Sequence, residues 1–226
     1  MIGTILNTLA ILIGSLIGSR IKKGINVKYQ DSLYNAMGLA ACGIGINSIV
    51  TNMQNSIFPV LFIISLAIGS LAGNIFDLSG KFERLTKKFS KGDLSQGLST
   101  AIMLFCIGTL SILGPIESAL NGNNTFLFTN ATLDFVTSLV LATTYGFGIA
   151  IAGVVLFVWQ GGIFILAGII EPYLTTELLT EITLIGGFLI FSSGLSILKI
   201  KDCNSLNMLP SLLVPIVWFV IWSLIK

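Results

Sequence analysis

The sequence predicts an all-α integral membrane protein of about eight transmembrane helices, on three observations. Hydrophobic residues make up 54% of the 226 and charged residues only 10%, with a mean hydropathy of +0.95. A soluble domain carries roughly 25% charged residues to keep its surface wet. Apolar runs near 20 residues, enough to cross a hydrocarbon core of about 30 Å, recur along the whole chain. Lys and Arg, finally, are confined to every second connection between those runs.

Taken in order, the first span is 2–19. It opens Met1-Ile2-Gly3 without the positive start that a secretory signal requires, and Arg20, Lys22 and Lys23 follow it. This order places the N-terminus outside. Spans 32–50, 57–76 and 97–116 come next. Residues 131–170 then hold one charge, Asp134, in 40 residues, twice the length of a span. The natural division is the turn at Tyr145-Gly146-Phe147-Gly148, giving spans 131–147 and 149–170; a single re-entrant excursion is the alternative. Spans 183–199 and 208–225 complete the set.

Charge placement supports two crossings there. Loop 20–30 carries Arg20, Lys22, Lys23 and Lys28; loop 77–96 carries Lys81, Arg84, Lys87, Lys88 and Lys91; loop 199–207 carries Lys199 and Lys201. The alternate loops 51–56, 117–130 and 171–182 carry none, so 11 of the 12 basic residues fall on one side. That side is the cytoplasm by the positive-inside rule, which puts both termini outside a bacterial plasma membrane. Glu117, Glu171, Glu177 and Glu181 fall on the outer side, where they read as solvated span ends or as a mild attraction for cations. The segment Lys81–Phe89 reads as a basic amphipathic helix on the inner surface, drawn to anionic headgroups.

A weak self-similarity organises the chain further. Met37-Gly38-Leu39 and Gly45-Ile46-Asn47-Ser48 in the second span match Gly187-Phe188-Leu189 and Gly194-Leu195-Ser196 in the seventh, both at an offset of 149 (187 minus 38, 194 minus 45). Phe58-Pro59-Val60 and Leu209-Pro210-Ser211, opening the third and eighth spans, match at 151 (210 minus 59), each proline expected in a first helical turn. The expectation is one membrane domain, 1–226, with one three-helix copy at 1–77, a hairpin at 97–147 and a second copy at 148–226. Copies five spans apart insert with opposite orientation. Inverted repeats of this kind are the signature of secondary transporters.

Several chemistries are excluded. The chain has no histidine, which removes His-based zinc sites and Ser-His or Cys-His catalysis. Every lysine lies in a loop or at the C-terminus, and no second aspartate faces Asp134, so no intramembrane protease arrangement is visible. Cys42, Cys106 and Cys203 show neither disulfide nor metal spacing. Gly146-Phe147-Gly148 with Gly153 misses the dinucleotide spacing. A net charge of +2 gives no reason to expect nucleic acid. No enzyme activity and no cofactor are expected.

The candidate binding residues are polar groups at span depth, which are expensive in lipid and therefore functional candidates. Asp134 leads, with Thr137 on the same helix face. In its favour as a structural residue, an Asp in a helix's first turn is stabilised by the dipole. Asn7 and Gln160 sit in the first helix of each copy and either glue the bundle or line a central site. Asn47, Ser192 and Ser193 lie in Gly/Ser-rich stretches, Gly43–Ser48 and Ser192–Ser196, where a helix could unwind or pack closely. Gly14-Ser15-Leu16-Ile17-Gly18 and Gly69-Ser70-Leu71-Ala72-Gly73 are GxxxG packing motifs, which could also pair two copies of the chain.

With Asn7, the Gly14-to-Gly18 run, Leu133-Asp134-Phe135, Gln160, Gly186-Gly187, Gly194-Leu195 and Asn207-Met208-Leu209-Pro210, the chain resembles the YqgA/YdfK-like family of bacterial membrane proteins, a domain-of-unknown-function family. The resemblance runs over essentially the whole chain and implies a plasma-membrane protein; it leaves the substrate blank. The repeat points to a secondary transporter of a small solute or ion, working by alternating access. A channel-like pore would share the fold but show flux that does not saturate. A structural or regulatory membrane protein would lose only stability when its buried polar groups are neutralised.

Overall fold

A computed structural model describes residues 1–21, 25–87, 98, 100–102, 104–106, 109–170 and 175–225. Lys22, Lys23, Lys88, Phe89, Lys91, Glu171 and Lys226 lie outside them. Among the described residues there is no strand. The helices are α1 (Ile2–Gly18), α2 (Val27–Met53), α3 (Leu61–Ile75), α4 (Leu78–Lys87), α5 (Thr100–Cys106), α6 (Thr109–Leu120), α7 (Thr125–Tyr145), α8 (Ala150–Ile170), α9 (Thr176–Ile197) and α10 (Leu213–Ile225).

Five of these stretches are long and apolar enough to cross a membrane: Ile2–Arg20, Val27–Met53, Thr125–Tyr145, Phe147–Ile170 and Thr176–Ile197. Helices α5 and α6 reach that length only as a pair, with axes 41° apart. The expected third and eighth spans are shorter than drawn. α3 has 15 residues and α10 has 13, about 22 and 20 Å at 1.5 Å per residue. Each is preceded by a proline-containing turn, with Pro59 two residues ahead of α3 and Pro210 at the start of a 3-10 turn, Leu209–Leu212. The missing amide and restricted geometry of proline keep the helix from extending backwards.

The long apolar stretch divides where expected. α7 ends at Tyr145, Gly146 takes φ +73 and ψ −171, and a 3-10 turn at Phe147–Ile149 leads into α8. That backbone region is essentially reserved for glycine. Helix starts also move earlier, with α2 beginning at Val27, five residues before its expected span. α7 begins at Thr125, six residues before the predicted start, so Asp134 is its tenth residue and lies beyond the reach of the dipole at its first turn. α9 begins at Thr176, where Thr175 Oγ1 accepts the Leu178 amide at 3.3 Å. This N-cap starts the helix seven residues ahead of the apolar run.

The chain forms two compact units. Unit 1 comprises 1–37 and 81–171; unit 2 comprises 38–80 and 172–226. In unit 1, α1 packs along α7 and α8, and α6 packs on α7 and α8. Its core is Ile11, Ala101, Ile102, Phe105, Cys106, Ala142, Ile149, Ala152 and Leu156. The opposite side of α1 shows Ile2, Ile5, Leu9 and Ile13, and that of α8 shows Ile151, Val154, Val158 and Ile165. Such faces suit lipid tails.

In unit 2, α2 and α9 cross backbone to backbone. A methyl group on Gly45 would lie 2.6 Å from Phe191 N and 2.9 Å from Gly187 O. One on Gly194 would lie 2.8 Å from Cys42 N and 3.0 Å from Gly38 O. The Gly/Ser stretches, which could unwind or pack closely by sequence, are continuous helix, with glycine used for close approach. Gly69 and Gly73 of α3 are covered by Ser211 and Asn207, and Gly14 and Gly18 of α1 by Ser138 and Leu139. Both GxxxG motifs are used inside the chain.

Candidate ion-binding site

The site is built where α1 meets α7 in unit 1. Small residues set the register. Gly3 faces Leu127, Gly14 faces Ser138 and Gly18 faces Ala142, each pair 124 residues apart. The same offset puts Asn7 level with Ala131, one turn from Asp134. The Asp134 carboxylate is 4% exposed and Asn7 is fully buried. Asn130, one turn earlier on α7, donates Nδ2 to Asp134 Oδ2 at 2.9 Å.

Asn7 faces the Asp134 carboxylate, yet falls short of hydrogen-bonding geometry. Both its amide atoms are buried with no hydrogen-bond partner in the protein. Cys106 also lies within electrostatic reach of Asp134. Thr137, one turn further along α7, is 8% exposed. Thr4, one turn before Asn7 on α1, likewise has a buried hydroxyl without a partner. Residues 29–80 and 92–198 contain no Lys or Arg, so no element flanking Asp134 can supply an ion pair. The arrangement offers a carboxylate, amide oxygens and hydroxyls, a hard oxygen set suited to a small cation or a proton.

Gln160 of α8 takes a separate partner. Its Nε2 donates to Ser111 Oγ of α6 at 3.1 Å, while its Oε1 is buried and unpartnered. Each amide thus reaches towards one helix of the α6–α7 hairpin, Asn7 to α7 and Gln160 to α6. The remaining predicted residues belong to unit 2. Ser192 donates to Leu189 O at 2.8 Å and, with Ser193, meets Ser205 Oγ at 2.9 and 3.2 Å. These serines are engaged within the helix and its following loop. Asn47 lies on the exposed side of α2, away from the α9 contact, because the helix does not unwind there.

Two buried carboxylates are assigned the wrong environment by sequence reasoning. Glu181 is read there as a solvated span end, but it is fully buried in α9. Its Oε1 accepts the Ser56 hydroxyl at 2.6 Å and the Phe58 amide at 3.2 Å. The Thr175-Thr176-Glu177 start signal could have revealed it, since a helix beginning there carries residue 181 inward by more than a turn. Glu117 is also largely buried, with Oε2 accepting from Asn121 at 2.8 Å.

Two bacterial proteins are similar over nearly their full lengths. The uncharacterized membrane protein YdfK of Bacillus subtilis (strain 168) is 57% identical over 222 residues, covering 98% of this chain and 97% of its own. The uncharacterized protein YqgA of Escherichia coli (strain K12) is 27% identical over 234 residues, covering 99% and 98%. No solved structure matches. The family model described as "Protein of unknown function (DUF554)" matches residues 2–220. A helical membrane protein with several apolar spans, the chain belongs to that family of multi-pass membrane proteins.

Proposed function

We propose that this protein is a small secondary carrier of a cation or small solute, with Asp134 holding the cargo or its coupling ion. The observation that carries the reading is Asp134 itself. It is buried mid-helix, far from any basic residue in sequence, beside an amide that has no partner. A protein selected only for stability gains nothing from such a pair, because a buried polar atom left unpaired costs about 1–3 kcal/mol.

The inverted repeat gives the carrier its means of alternating. Under the 149-residue offset, Gly45 maps to Gly194, Phe191 to Cys42 and Gly187 to Gly38. The two close approaches between α2 and α9 are thus each other's images, as a two-fold axis between antiparallel copies requires. The proline turns behave likewise. Phe58 packs edge-on against Trp218 and Trp222 of α10, while the Asn207–Ser211 turn packs on Gly69 and Gly73 of α3. Short, proline-interrupted helices at matching positions of two halves are a feature of transporters built from inverted repeats. Eight crossings in the bacterial plasma membrane, both termini outside, follow from the same reading and the basic-loop pattern.

The test is flux in liposomes carrying the purified protein and an internal pH dye, challenged with Na⁺ or K⁺ gradients. Saturable flux that Asp134→Asn abolishes is expected. Flux that rises linearly with concentration would favour a pore, and equal flux in the variant would remove Asp134 from the mechanism. No flux with either cation or with protons would overturn cation transport.

A further inference from the structure

We infer, resting on the carrier reading above, that Thr4 Oγ1, Gln160 Oε1 and Ser111 Oγ form a second, uncharged station in unit 1 for a monovalent alkali cation on its way to Asp134.

The register of α1 against α8 brings the groups together. A methyl group on Gly153 would lie 3.2 Å from Ile11 Cγ2 and 3.4 Å from its Cβ, so these two residues face each other. A methyl on Gly161 would lie 3.9 Å from Met1 Cε, so the helices run antiparallel. Thr4 is seven residues before Ile11 and Gln160 seven after Gly153. Seven residues fall only about 20° short of two full turns. Thr4 and Gln160 therefore meet at one level across the same interface. Both are fully buried, and among the described residues neither Thr4 Oγ1 nor Gln160 Oε1 has a hydrogen-bond partner. Ser111 Oγ of α6, also fully buried, accepts Gln160 Nε2 at 3.1 Å. That bond fixes the amide, leaves Oε1 as its unspent end and uses one of the two lone pairs on the hydroxyl.

Three neutral oxygens from three helices are hard ligands for a hard cation. Charge selects the valence. α1, α7 and α8 hold one described acid between them, Asp134, and one carboxylate balances one positive charge. Glu117 of α6 stands six residues beyond Ser111, with Oε2 already accepting from Asn121. The station also lies on a path. The 124-residue offset between α1 and α7 puts Asp134 level with residue 10 of α1, six residues past Thr4. Six residues span about 9 Å of helix. Asn7 stands between, both its amide atoms buried without a partner, so a bare oxygen is offered at each turn of α1 from the station to the carboxylate.

The experiment is thermal unfolding of the purified full-length protein, with NaCl or KCl replacing choline chloride at fixed pH and ionic strength. A bound ion raises the unfolding temperature saturably, and the series with the lower half-saturating concentration names the ion. Thr4→Val keeps the shape and removes one ligand, and Gln160→Met removes another; each should raise the half-saturating concentration about tenfold, as loss of one contact to a charge does. Thr4→Ser, which keeps the oxygen, should stay within about twofold of the native value. A merely structural role would move the unfolding temperature in choline and leave half-saturation where it was. Native half-saturation in Thr4→Val overturns the station, and does so even if Gln160→Met fails to fold. So does a native protein indifferent to both salts, which would leave the space to water. The carrier reading stands or falls separately: flux lost in Asp134→Asn with native binding in Thr4→Val removes the station alone, and Thr4-dependent binding without flux in liposomes removes the carrier alone.

Discussion

Replacing Gly45 by alanine adds one methyl group at the point where α2 and α9 touch. That methyl would lie 2.6 Å from Phe191 N, 2.8 Å from its Cα and 2.9 Å from Gly187 O, all backbone atoms that no rotamer change can move. The helices must separate by several tenths of an ångström, which forfeits dispersion contacts along the whole crossing. Overpacking of this sort costs about 1–3 kcal/mol, against which alanine returns about 1 kcal/mol of helix propensity. A net loss of up to about 2 kcal/mol is expected. Gly43, two residues away on the same helix, provides the control, since a methyl there meets nothing within 4 Å. Gly43→Ala should leave stability unchanged or raise it by up to about 1 kcal/mol. Gly194→Ala, facing Cys42 N at 2.8 Å, should cost about as much as Gly45→Ala. The double variant should cost less than the sum, because one separation relieves both clashes. Thermal unfolding of the detergent-purified protein, followed by circular dichroism, measures all four. If Gly45→Ala unfolds no earlier than Gly43→Ala, the close crossing of α2 and α9 is refuted.

Two further outcomes follow from other parts of the molecule. Asn7→Leu removes two buried polar atoms that have no partner, so the protein should become more stable by about 1–3 kcal/mol while losing cation-dependent flux. Thermal unfolding and the liposome assay on one preparation check both halves, and a destabilised but active variant would make Asn7 structural. A membrane-impermeant maleimide should label Cys203, half-buried in the 198–208 connection, and spare buried Cys106. Labelling of Cys203 in inverted vesicles and none in intact cells is expected from the basic-loop pattern; the reverse would overturn the orientation.

Class, helix order and the division at Gly146 are legible in the sequence because they depend on local properties. An apolar run of sufficient length needs no partner to be recognised, and the glycine at φ +73 marks the turn by its own backbone demand. Spacing alone also singles out Asp134, since an acid among apolar residues is costly wherever the helix points. Element boundaries were less legible. The start of α7 at Thr125 and of α9 at Thr176 depend on polar residues that hydropathy excludes from a span. Moving those starts changed the environment of both carboxylates.

Sequence alone therefore establishes the membrane class, the approximate course of the chain and the identity of Asp134, Asn7 and Gln160 as buried polar groups. Tertiary structure alone decided which groups meet. Gly/Ser stretches that read equally as breaks or as packing became packing, because the backbone of a helix distant in sequence, α9 for Gly45 and α2 for Gly194, occupies the space that each glycine leaves. Asn7 came to face Asp134, and Gln160 came to bond Ser111, through helix registers that no local signal encodes. Burial of Glu181 likewise depends on a turn more than 120 residues earlier in the chain, Ser56 to Phe58, folding over it. Hydrogen bonds and close contacts reach only a few ångströms, so their partners are fixed by packing, and packing is a property of the folded chain as a whole.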